Sequence, residues 1–296
     1  MKKGSLILAL LLSLTGCEDV VQIDAPSEAP RLSVDALIRV DVDEQFVPVE
    51  VKITLTDNFF GTVPVTNVES IVILKELLED GFVVSSSSSS LAEVDPGSGI
   101  YVPDPNFSTD QRIRTSSLDQ DILYTLVINH QDKRYVGQTK YVRTAPIDLL
   151  TQGEGTLFDE DDTEVIITFT DDPDVANFYV FDFGFGEYLV TEDEFYMGQQ
   201  FEFSYFYDQQ FDPGTELLIS VLGADRTFYN YMDQLIEQGG DLQGPFQTPA
   251  ATIRGNIFDV TDLDNINVFD NVDQPDVFPL GYFGIVQEYR DTIVIE

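Results

Sequence analysis

The chain has 296 residues, of which 53 are Asp or Glu against 15 Lys or Arg, so its net charge is −38. Nucleic-acid binding relies on cations that neutralise phosphates, and this balance argues against it, as it does against adsorption to anionic lipid. A hydrophobic content of 43% still provides a packed core, so the acidity reads as a solvated surface and not as disorder. With one cysteine (Cys17) and one histidine (His130), a disulfide framework, a thiolate metal site, a Cys nucleophile and a His-rich zinc site are excluded.

The chain opens MKKGSLILALLLSLTGCED: Lys2 and Lys3, then residues 6–14, apolar apart from Ser13. That run is too short to cross a bilayer, which needs about 20 residues, and has the layout of a secretory signal. It ends Leu14-Thr15-Gly16-Cys17, which resembles the lipobox of bacterial lipoproteins. The resemblance implies cleavage after residue 16 and acylation of Cys17. Several acyl chains hold a protein firmly where one does so marginally, at about 0.8 kcal/mol per buried CH₂. Processing would leave 13 basic and 53 acidic residues, a net −40. Residues 17–30, acidic and proline-containing, read as a tether. Glu18-Asp19 resembles the signal that sends Bacteroidota lipoproteins to the cell surface, so the expected location is the outer membrane, facing outward.

Beyond the tether the hydrophobic period is two. RLSVDALIRV from Arg31, VEVKITLTD from Val49, ESIVILKEL, GIYVP, DILYTLVINH and KRYVGQTKYV read as short strands. Asp95-Pro96-Gly97 with Ser98-Gly99 is a turn, and the six serines at 85–90 read as a flexible hairpin tip. Residues 31–147 are thus expected to form an immunoglobulin-like β-sandwich. Residues 148–162, rich in glycine and acids, read as a linker, with a second β-rich domain over 163–296.

That second half is strongly aromatic: 14 of the 34 residues from Phe178 to Phe211 are Phe or Tyr. Tyr179, Phe181, Phe183 and Phe185 share one strand face, and Phe201, Phe203, Tyr205 and Tyr207 share another. Large rings bury much area, so these faces read as core, with Tyr205, Tyr207 and Asp208 as the exposed end able to contact a ligand. In DRTFYNYMDQLIEQGG, Phe228, Tyr231, Met232, Leu235 and Ile236 make one helical stripe, capped by Asp225 and ended by Gly239-Gly240. The helix is expected near 225–238, packed beside the second sheet, and DTIVIE as a terminal strand. The fold class is therefore mainly β, two immunoglobulin-like sandwiches, the second with one amphipathic helix.

Acidic clusters occur at 159–162, at Asp171, Asp172 and Asp174, and between Asp259 and Asp276. Calcium takes about six to eight oxygens at alternating loop positions. DLDNINVFDNVD from Asp262 has Ile266 at its fifth position and Asn267 where glycine belongs, so it is not an EF-hand. A looser calcium site in one of these loops is the one cofactor reading. Glycoside hydrolysis needs two carboxylates about 5 to 10 Å apart, and 53 acids give sequence no means to select a pair. A nucleophile elbow, a P-loop and a dinucleotide-binding glycine loop are absent, so no enzyme is expected. Asp291-Thr292-Ile293 resembles the Bacteroidota O-glycosylation site, making Thr292 a candidate acceptor.

Cys17 with its lipobox, Ala145-Pro146-Ile147-Asp148, MDQLIEQGG, ATIRGNIFDV and Pro279-Leu280-Gly281-Tyr282-Phe283 together resemble one family. It is an uncharacterised family of Bacteroidota outer-membrane lipoproteins with a domain-of-unknown-function label, whose genes lie beside those of TonB-dependent receptors. The resemblance implies a non-enzymatic accessory or ligand-capture partner of such a receptor. The alternative is a free-standing adhesion or glycan- or protein-binding module, stabilised by calcium.

Overall fold

The computed structural model describes residues 30–56, 62–157, 162–173, 177–239, 253–262 and 278–296. Among these the chain is mainly β, with large sheets and one α-helix. The first half contributes β1 (Leu32–Val40), β2 (Val51–Thr56), β3 (Thr62–Pro64), β4 (Ser70–Glu79), β5 (Phe82–Glu93), β6 (Ile100–Pro103), β7 (Ile122–His130), β8 (Lys133–Thr139) and β9 (Tyr141–Val142). The second contributes β10 (Ile147–Gln152), β11 (Thr163–Thr170), β12 (Phe178–Asp182), β13 (Tyr188–Glu192), β14 (Gln200–Tyr207), β15 (Glu216–Ala224), the helix α1 (Arg226–Gly239), β16 (Ile257–Asp259) and β17 (Leu280–Val294).

Period-two alternation becomes burial as expected. On β1, Leu32, Val34, Ala36, Ile38 and Val40 are all buried. They meet Val51 and Ile53 of β2, Ile71 and Ile73 of β4, and Leu126 and Ile128 of β7 in one core. A second core joins β10, β11 and β14, which form a three-stranded sheet, to β12, β15 and the end of β17. A third lies under α1, where Phe228 and Met232 cover Phe178, Val180, Leu222 and Val286. Asp225 caps this helix through its Oδ1, which accepts the Phe228 N–H at 2.7 Å.

β17 links the cores. Residues 280–287 run parallel to β1 from Ser33↔Leu280 to Val40↔Gln287, and residues 288–294 run antiparallel to β15. Phe283 and Ile285 enter the first core, Ile293 the second, and Tyr282 and Val286 the third. A strand was expected only at DTIVIE; it begins instead at Leu280. Gly281 explains the start. Its φ is +98°, and a Cβ there would lie 1.9 Å from the Val34 carbonyl oxygen, so only glycine lets the two backbones meet. Asn256 completes the junction: its side chain donates to the Phe283 carbonyl at 2.7 Å and accepts the Phe283 N–H at 2.8 Å. The Gly-Asn and Pro-Leu-Gly-Tyr-Phe motifs are thus two sides of one contact.

Two readings change. The serines at 85–90 are not a loop but part of β5, paired residue by residue with β4 from Ser85↔Leu77 to Ser90↔Val72. The hairpin turns earlier, at Asp80 and Gly81, whose φ values of 52° and 80° suit the tight turn that joins twisted strands. Backbone pairing needs no particular side chain, so serine follows its partner. Residues 147–152, at the head of the segment read as a linker, form β10.

Candidate functional site

The aromatic faces point inward except at Phe185, which is 69% exposed because β12 ends at Asp182 and the chain turns there with a φ of 54°. Phe181 meets Phe203 edge-on at 5.0 Å between ring centroids, and Phe169 meets Tyr179 at 5.1 Å. β12 is buried on both sides, since Phe178 and Val180 lie under α1. Tyr207 is 0% exposed and donates from its hydroxyl to the Phe183 carbonyl at 2.9 Å. Tyr205 stacks on Phe183 at 3.6 Å, and its hydroxyl donates to Glu187. Burial first, and the Glu187 charge after it, push both phenols well above the usual tyrosine range. Of the three residues read as ligand contacts, only Asp208 is exposed. The reason is parity: Tyr205 and Tyr207 share the strand face of Phe201 and Phe203 and follow them into the core.

Asp171, from the second acidic cluster, is a buried hub. It accepts from the Tyr179 hydroxyl, the Gly198 N–H at 2.7 Å and the Asn177 side-chain amide at 3.2 Å. Among the described residues no three His, Cys, Asp or Glu side chains gather where a metal ion could be held. Cys17, Asp174, residues 159–161 and residues 263–276 lie outside the described residues. Thr292 is exposed on β17, with its N–H bonded to Asp291 Oδ1 at 2.8 Å.

The surface features lie elsewhere, on the β4–β5 hairpin. Its tip carries Phe82, Val83 and Val84 at 76%, 53% and 50% exposure, three consecutive apolar side chains in water. Below the tip, a groove of about 380 Å³ runs between the hairpin and residues 110–122. Lys75, Ser85 and Ser87 line it from the hairpin, and Asp110, Arg112 and Arg114 from the facing segment. Arg112 is held by Asp110 through paired 2.9 Å bonds, and lies 3.8 Å over the Phe46 ring. The arginine also holds the Asp110 carboxyl down to about 2. Lys75 Nζ donates to Ser89 Oγ at 2.9 Å, and burial lowers its pKa, with Asp110 opposing the shift. Sequence reading missed this groove. Its one local trace is Arg112-Ile113-Arg114, where a buried Ile113 sets both arginines on the outer face.

These observations describe a β-rich body with a structured hairpin. The chain belongs to the family described as "Domain of unknown function (DUF4249)", whose model matches residues 18–291. No curated protein matches it. Among solved structures, the transglutaminase of red sea bream is similar at 8% identity, over 92% of this chain and 32% of its own length, with a TM-score of 0.22. The chain spans about a third of that enzyme, and so slight a likeness bears on neither fold nor activity.

Proposed function

We infer that the chain is a lipid-anchored protein of the outer membrane, facing the cell surface, and a non-enzymatic partner of a TonB-dependent receptor. The hydrophobic run before Cys17 supports the anchor, and the acidic residues at 17–30 support a tether with reach. The partner half of the reading rests on one observation, the apolar tip at Phe82, Val83 and Val84 on a paired hairpin. Contiguous exposed apolar side chains are where soluble surfaces meet protein partners.

Affinity purification of the tagged full chain in mild detergent, followed by mass spectrometry, tests this. A TonB-dependent barrel is expected to co-purify, and the F82S/V83S/V84S variant to recover at least about tenfold less of it. Recovery of the chain alone in several gentle detergents would sink the receptor reading. Separately, fatty-acid label should enter the wild-type chain and not Cys17→Ala. A free-standing binding module is the second reading, favoured by the groove beside the hairpin, and a full-length chain that binds its ligand with no barrel present would select it.

A further inference from the structure

We propose that the groove beside the β4–β5 hairpin binds a small oxyanion, a carboxylate or a phosphate, through Lys75 and Arg114. In a chain with 53 acids, cations find partners easily. Arg39, Arg112, Lys133, Lys140, Arg143, Arg226 and Arg290 all sit in ion pairs. Among the described residues Lys75 and Arg114, like Lys52 and Arg134, have no carboxylate within ion-pair distance, and of these four Lys75 and Arg114 line one groove together. Each already makes one contact with the protein. Lys75 is held by Ser89 and keeps two further N–H donors, while Arg114 lies over the Phe46 ring at 5.1 Å. A planar fork and an ammonium together suit the oxygens of a carboxylate or phosphate.

The rest of the groove agrees. Its one carboxylate, Asp110, is taken up by Arg112, so the local charge is positive. Ser85 and Ser87 add hydroxyls that both donate and accept, which suits an oxyanion carried on a hydroxylated body. About 380 Å³ is room for one such molecule. The chain's overall −38 does not forbid the approach, because physiological salt screens distant charges beyond about 8 Å.

Isothermal titration of the full chain in detergent, with sodium phosphate, sodium glucuronate and neutral glucose as separate probes, tests the proposal. One or both anions should bind saturably and glucose should not; which anion binds tells phosphate from carboxylate. K75M/R114Q should weaken binding at least about tenfold, while Lys52→Met, at an exposed position on β2, should leave it unchanged. Should K75M perturb the hairpin, R114Q alone at its exposed position is decisive. No saturable binding of either anion, equal binding by glucose, or wild-type binding by R114Q would overturn the assignment.

Discussion

Two stretches of biased composition met opposite fates. The serines of β5 lie along a strand paired to β4, exposed from Ser85 to Ser88 and buried only at Ser89, whereas the rings of β12 and β14 interlock in a core. Serine has no hydrophobic reason to be ordered; it is ordered because β4 offers a ladder of backbone partners. The rings are ordered because burial drives them together, and pairing follows. Composition therefore reports burial far better than it reports strand.

The largest test of this contrast is alkali, because several tyrosines are buried in the cores and none lies on the hairpin. Burial pushes Tyr101, Tyr124, Tyr135, Tyr141 and Tyr196 up to about 12 from an ordinary 10.0. The folded state holds these protons where the unfolded chain loses them. Stability should be intact below about pH 10 and fall as pH rises toward 12, by about 1.4 kcal/mol per pH unit for each such tyrosine. Circular dichroism across that range reads it; a protein stable up to pH 12 would mean the phenols are solvated. Next, Phe181→Ala should cost about 3–5 kcal/mol in urea unfolding, and an unchanged midpoint would return the rings to the surface.

Smaller is Asp171→Ala, expected to cost about 2–3 kcal/mol because it strands the Gly198 N–H and the Tyr179 hydroxyl in the interior. Asp171→Asn, which keeps an acceptor, should cost less. Smallest is Ser87→Ala on the exposed side of the hairpin, expected within about 0.5 kcal/mol of wild type. A large loss there would show that the serines carry packing of their own.

Much of the fold was legible in local pattern. β1, β2, β4, β6, β7 and β8 follow alternation, and α1 follows its stripe from the Asp225 cap. What escaped has a common cause: it depends on a distant partner. The serine strand needed β4, β10 needed β11, and the first half of β17 needed β1. Tyr207 was misread as exposed although its parity with Phe203 already pointed inward. Little of the groove could be read, because Lys75 and Arg114 are far apart in sequence and meet only once the hairpin crosses the 110–117 segment.

β17 also constrains how the molecule can assemble. Ser33 pairs with Leu280, 247 residues away, and closing a loop of that length costs about 5 kcal/mol of chain entropy. Until β17 arrives, β1 and β15 each keep one edge bare, and bare edges recruit other chains. Emerging polypeptide would therefore hold two unfinished sheets in wait for the same fifteen residues. Their arrival covers both bare edges at once and joins the two into one sheet, so the two halves are expected to melt in a single cooperative transition.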